Sequence, residues 1–206
     1  MKNGFSLAAP SKAMGGKYPP DITMHLKTVF INALLAFYAC SAMASDAPGP
    51  LAAIPALDVP RYMGTWYEIA KYPNWFQRKC LKDTRADYSA QADGKLRVVN
   101  LCTTKEGEVT EVIGEARQMG GVTSARLEVR FAPAWLSIIP FVWGDYWVID
   151  LDPAYQLVAV SEPKREYLWI LSRTPAVTVK VYDELVARLE KKGMDTSKLE
   201  RTPQGK

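Results

Sequence analysis

Few side chains in this sequence are suited to nucleophilic, acid–base or metal chemistry at neutral pH. There is one histidine, His25, and there are three cysteines, Cys40, Cys80 and Cys102. Ser-His-Asp or Cys-His catalysis, and His-based zinc sites, need an imidazole beside the nucleophile or among the ligands. His25 is the sole imidazole, and it stands in Met24-His25-Leu26-Lys27 at the head of an apolar run. The sequence holds no Gly-x-Ser-x-Gly element and no Lys/Arg run of the kind that marks a nucleic-acid surface. Catalysis therefore depends on whether that N-terminal stretch stays with the protein.

The run from Val29 to Ala39 is eleven residues, broken only by Asn32, and it ends at the small residues Ala42-Met43-Ala44. A basic start, a short apolar core and a small-residue exit form a secretory signal peptide over 24–44. The run is too short for a membrane-spanning helix, which needs roughly 20 apolar residues. Residues 1–23, rich in Gly, Lys and Pro, read as an upstream extension outside the fold. Two processing routes are open. Cleavage can follow Ala44, or it can precede Cys40, whose thiol would then carry lipid, although Phe37 and Tyr38 are bulky for that pattern. Both routes export the chain and remove His25.

Cleavage after Ala44 takes away four of 26 basic residues and one of 22 acidic residues, so the net charge falls from +4 to +1. Cys80 and Cys102 remain, in an oxidising compartment, and are expected to form a disulfide. The bridge would close a loop of about 22 residues and stabilise the fold by roughly 3 kcal/mol in the chain-entropy account.

These residues need a frame. Residues 45–58, rich in Pro and Ala, read as an extended lead-in. Short strand-like runs follow at 65–71, 84–90, 96–102, 108–118, 125–131, 146–150, 155–161 and 167–172. Turn residues separate them, among them Asp93-Gly94, Glu106-Gly107, Gly120-Gly121 and Asp152-Pro153. Eight short strands with tight links predict an antiparallel meander that closes on itself. Val177, Val181, Leu185 and Leu189 then fall four apart, which predicts an amphipathic helix from near Thr178 to Gly193, packed on the outer wall of the barrel.

Gly64-Thr65-Trp66 opens the first strand, and Leu168-Trp169-Ile170-Leu171-Ser172-Arg173-Thr174-Pro175 closes the last. Together these motifs resemble the lipocalin family, and the second string resembles the bacterial, outer-membrane-lipoprotein type in particular. The family's middle motif is represented only by Leu151-Asp152-Pro153 and Tyr155. The resemblance covers 59–202 and implies an all-β, eight-stranded up-and-down barrel of calycin type with one C-terminal helix outside. Gly64, Trp66 and Arg173 are expected to be structural. Trp66 would fill the narrow end while the Arg173 guanidinium lies over its indole, a cation–π contact of about 0.5–2 kcal/mol.

Alternation places Trp169 and Leu171 inside the barrel, with Tyr88 and Val98 as further lining residues. The stretch 132–147 is the most apolar outside the signal region, and Pro133, Pro140 and Gly144 keep it from being a continuous helix or strand. It reads either as a loop folded on the core or as a flap at the barrel mouth. In the second reading Trp143 and Tyr146 reach the pocket, while Trp135, Leu136 and Ile138 face outward. The resemblance implies non-catalytic binding, storage or transport of fatty acids or lysophospholipids in the bacterial envelope, without a cofactor. The expected site is the periplasm or the periplasmic face of the outer membrane. A membrane surface is the expected partner and nucleic acid is not; a homodimer is left open. The alternatives are a lipid-modifying enzyme built on Glu, Tyr or a thiolate, and a carrier of another hydrophobe such as a pigment.

Overall fold

A computed structural model describes residues 48–133, 136, 139 and 142–205. The signal segment, Cys40, Trp135 and Ile138 lie outside the described residues. Among those described, no helix is long and apolar enough to cross a membrane.

Among the described residues nine strands form one sheet: β1 (Gly64–Lys71), β2 (Cys80–Ala90), β3 (Leu96–Thr104), β4 (Val109–Gln118), β5 (Arg126–Arg130), β6 (Gly144–Leu151), β7 (Leu157–Ser161), β8 (Leu168–Ser172) and β9 (Glu200–Arg201). Neighbours in sequence pair antiparallel from β2 to β8, β8 then pairs with β1, and β1 pairs back to β2. The eight strands close, so no long edge is left to recruit another chain. Alternation along each strand sends one set of side chains inward and the other outward. The inward set includes Trp66, Ala86, Tyr88, Val98, Ala116, Leu127, Val148, Val158, Val160 and Leu171. The outward set of β1, β6, β7 and β8, with Ile69, Ile149, Ala159 and Ile170, is equally apolar because the C-terminal helix covers it.

Before β1 the chain does more than lead in. Leu57 and Ile54 hydrogen-bond to Thr123 O and Val148 O, lacing this segment across the narrow end. A single helical turn follows, α1 (Val59–Tyr62), capped by Asp58, whose carboxylate accepts from Arg61 N–H. Pro60 lies in that first turn, where a missing N–H is harmless. Tyr62 ends the turn fully buried. The extended lead-in expected from composition thus stops at Asp58, and the turn after it delivers an aromatic ring to the interior.

α2 (Val179–Lys191) is capped by Thr178 and buries Leu185 and Leu189 against the outer wall. Arg188 closes a two-pronged ion pair on Asp150 of β6, Nη2 to Oδ1 at 2.9 Å and Nε to Oδ2 at 3.0 Å. Arg188 is about half exposed, so the pair orients the helix more than it stabilises it. Beyond α2 the chain returns to the barrel. β9 pairs with Ala70 and Lys71 of β1, on the side that β2 has left. Asp83 N–H donates to Pro203 O, Gln204 Nε2 donates to Glu68 O and Thr84 O, and the Asp83 carboxylate accepts from Gly205 N–H. Residues 200–205 are therefore a strap in the upper seam between β1 and β2.

Candidate ligand-binding site

The barrel has a closed floor and a mouth. The floor is where β1 begins and β8 ends. Gly64 has φ +96°, a left-handed conformation that suits glycine, and a Cβ there would stand 3.2 Å from Arg173 Nη1. Trp66 is fully buried, and its Nε1–H donates to Tyr62 O at 2.8 Å. The Arg173 guanidinium lies 4.0 Å from the indole centroid and donates to Thr65 O and Arg61 O at 2.9 and 2.7 Å. One cation thus ties the start of β1, α1 and the end of β8 across the base. These three residues close the narrow end.

Beside this plug stand three phenols on three separate elements: Tyr62 on α1, Tyr88 on β2 and Tyr146 on β6. Tyr146 Oη lies 2.7 Å from Tyr62 Oη and 2.9 Å from Tyr88 Oη. The rings continue the packing of the floor, with Tyr62 5.0 Å from Trp66 and 5.6 Å from Tyr88 between centroids. Burial pushes the Tyr88 phenol up to about 12 and holds Tyr62 and Tyr146 well above the ordinary value near 10. All three are neutral hydroxyls at any physiological pH.

Much of the wall is apolar, although Glu68 and Asn100 stand opposite inward Leu171 and Ala86. Val98 faces inward opposite Tyr88 across β2 and β3 and is buried. Leu171 is buried in the same interior, opposite Val158, and Trp169 packs against it one step nearer the mouth. Val129, Tyr146 and Trp169 face inward yet are only half-buried, so they border lumen rather than packed core.

Around the mouth, Trp169 is the inner member of an aromatic tier. Tyr167 stacks on it at 5.8 Å, and Phe76, from the loop between β1 and β2, lies 5.7 Å from Tyr167 and 6.2 Å from Trp169. Phe76 and Trp75 are 49% and 69% exposed, so this tier runs out into solvent. The loop is held from below. The buried Glu68 carboxylate accepts from Thr202 Oγ1 at 2.5 Å, Gln77 Nε2 at 2.7 Å and Lys71 Nζ at 3.1 Å, and Gln77 Oε1 in turn accepts from Trp169 Nε1. Cys80 and Cys102 are joined in a disulfide, Cα to Cα 5.5 Å, which ties the first residue of β2 to β3 near the same rim. Among the described residues no group of His, Cys, Asp and Glu could hold a metal ion.

Five of the six expected lining residues, Tyr88, Val98, Tyr146, Trp169 and Leu171, therefore share one interior. Trp143 does not. Its ring lies 4.1 Å from the Arg117 guanidinium and 5.2 Å from that of Arg130. Those arginines pair with Glu128 and Glu115 across the outer face of β4 and β5. Trp143 and Tyr146 are three residues apart, and extended chain turns positions of opposite parity to opposite faces. Trp143 thus shares a side with Trp147, which carries Arg126 over its ring, and not with Tyr146.

Two interior residues escaped sequence reasoning. Tyr62 carried a signal, standing one helical turn before Trp66, but between the lead-in and the first strand, where no element was assigned. Phe131 has its ring over Gly114, where a Cβ would come within 2.6 Å of Phe131 Cδ1. Gly114 faces inward opposite Val98, so its missing side chain makes room for that ring.

Comparison with known proteins agrees with this architecture. The lipocalin-like domain family matches residues 57–204. A temperature-induced lipocalin of Arabidopsis thaliana is 44% identical over 153 residues, covering 73% of this chain and 81% of the relative. The outer membrane lipoprotein Blc of Escherichia coli K12 is 37% identical over 176 residues, covering 85% and 95%. Mouse apolipoprotein D is 32% identical over 154 residues, covering 71% and 77%. Among solved structures, insecticyanin of the tobacco hornworm Manduca sexta aligns with a TM-score of 0.58 at 18% identity, over 75% of this chain and 84% of that one. Lobster apocrustacyanin A1 aligns with a TM-score of 0.56 at 15% identity, over 78% and 94%.

Proposed function

The chain belongs to the lipocalin family, and on that premise we propose that it binds, stores or transports fatty acids or lysophospholipids in the bacterial cell envelope, without catalysis. Lipocalins bind small hydrophobic molecules, and the observation that carries the finer reading is the shape of this interior. Tyr88, Val98, Tyr146, Trp169 and Leu171 line an apolar lumen closed at one end by Trp66, and the aromatic tier of Trp169, Tyr167 and Phe76 leads to solvent at the other. A single acyl chain fits such a one-ended space. Each methylene removed from water contributes about 0.8 kcal/mol. The headgroup stays at the rim, where Arg78, Lys79 and Lys82 flank the exposed Trp75 and Phe76 and suit a phosphate or carboxylate.

The envelope location is supported by the signal-like segment 24–44, and by relatives named outer membrane lipoproteins in several bacteria. The same exposed aromatics, with cations beside them, suit a membrane surface as the place where lipid is taken up or released. The non-catalytic reading rests on the sequence after Ala44, which has no histidine, and on two cysteines held together in a disulfide.

The direct test is native mass spectrometry of protein purified without detergent, followed by tryptophan quenching with a fatty acid and with a lysophospholipid. Co-purified acyl lipid and saturable quenching are expected. Absence of a saturable response to both ligand types would overturn the proposal, and time-dependent conversion of the added lipid would replace it with an enzymatic one.

A further inference from the structure

The three tyrosines at the floor gather their hydroxyls in one polar cluster, and counting hydrogens shows what it lacks. Three phenols bring three O–H donors, and the two contacts among them use two. Among the described residues these hydroxyls have no other hydrogen-bond partner, so one O–H is left over whichever way the pair of bonds runs. A buried donor without an acceptor is costly, and proteins seldom leave one so.

Burial decides where the spare hydrogen goes. Tyr62 is fully buried and Tyr88 nearly so, while Tyr146, which stands on the inward side of β6, is only half-buried. If Tyr62 and Tyr88 both donate to Tyr146 Oη, that oxygen accepts two bonds and its own hydrogen points into the lumen. Each oxygen then lies within its bonding capacity. Because burial raises all three phenols above their ordinary range, the group on offer is a neutral donor and not a phenolate.

We propose that Tyr146, backed by Tyr62 and Tyr88, is a specificity site at the bottom of the barrel for hydrophobes whose deeply inserted end carries a neutral acceptor oxygen, such as a ketone. This deepens the lipid-binding reading and rests on it. A plain acyl chain, inserted methyl first, brings nothing to meet the hydroxyl. A carboxylate inserted first would lose its hydration with no free cation beside it, since Arg173 lies against Trp66 and donates to Thr65 O and Arg61 O. A neutral carbonyl satisfies the donor without burying charge.

The test uses the whole delipidated protein and two probes, palmitic acid and the analogue whose penultimate methylene is replaced by a ketone. Comparing their affinities in wild type and in Tyr146→Phe cancels the cost of drying the ketone itself. The ketone analogue is expected to lose about tenfold relative to palmitate in Tyr146→Phe, and to lose little in Tyr62→Phe, which retains the lumen-facing donor. The infrared carbonyl band of the bound analogue supplies a measurement that does not depend on a variant folding. In wild type it should lie at lower frequency than the same ketone in hydrocarbon solvent.

An unmoved affinity ratio in Tyr146→Phe, or a carbonyl band at its hydrocarbon position in wild type, would overturn the specificity site while leaving lipid binding intact; a water on the spare hydroxyl would give this result. If neither probe binds any form of the protein, the lipid-binding reading falls as well.

Discussion

The two ends of the barrel use aromatic side chains in opposite ways. At the floor, Trp66, Tyr62 and Tyr88 are buried, and every polar atom on them that can reach a partner within the fold does so. At the rim, Trp75 and Phe76 pack edge to face with each other at 5.6 Å and leave 69% and 49% of their surface in water. The floor is bridged by long-range hydrogen bonds from Arg173, whereas the exposed rim rings are secured mainly through the loop beneath them, by Asn74, Gln77 and Glu68. Aromatic content alone therefore does not locate a binding site. Rings that hold the fold are those whose polar handles are matched inside it, and rings that meet a ligand or membrane are those the fold leaves open.

If this division is correct, changes at the two ends should separate stability from binding. Trp66→Ala should cause the largest loss, about 3–5 kcal/mol of unfolding free energy, read as a lower urea midpoint. A loss under about 1 kcal/mol would mean that the floor is not the cornerstone described. Removing the rim disulfide with Cys80→Ser and Cys102→Ser should cost roughly 3 kcal/mol. The fluorescence of folded protein should then change less at Trp66 than at the mouth tryptophans.

Alkaline pH probes the floor without mutation. The folded-state values of Tyr62, Tyr88 and Tyr146 are raised, so their contribution is complete below about pH 10, the ordinary phenol value, and declines as pH rises through the folded values. Tyrosinate absorbance should show a class of phenols that ionises only with unfolding. Free titration of every tyrosine near pH 10 in native protein would contradict the buried triad.

Acid probes the strap. Gly205 N–H holds the Asp83 carboxyl below the usual carboxylate range, so this contact is present above the ordinary carboxylate value and is lost as pH falls through the lowered one. The protection of amides at 200–205, corrected for the intrinsic pH dependence of exchange, should fall there while that of β7 is kept. The smallest effect on stability, within about 0.5 kcal/mol, belongs to Trp75→Ser with Phe76→Ser. Those same changes should weaken vesicle association and lipid uptake, and the comparison fails if they destabilise the fold as Trp66→Ala does.

Much of the barrel was legible from local pattern. Each of the eight strands was found within a few residues of its place, and α2 begins at the expected Thr178 cap. The errors have local causes. β2 starts at Cys80 rather than at 84 because register shifts near Lys82 and a left-handed Asp83 interrupt its alternation. β9 is two residues long and has no periodicity to read; it exists because β1 has a vacant flank. Trp143 was assigned inward on apolarity, where parity relative to Tyr146 would have sent it out.

By itself the sequence determined the strand period, the turns, the paired Gly-x-Trp and terminal Arg motifs, and the absence of an imidazole after Ala44. Those are properties of near neighbours along the chain or of composition. Only the tertiary structure decided which aromatics share a chamber. Tyr62 and Tyr146 are 84 positions apart and Tyr88 and Tyr146 are 58 apart, and their hydroxyls meet because the sheet closes and α1 turns beneath it. Alternation fixes the face on which a side chain stands, but barrel closure chooses what it finds there.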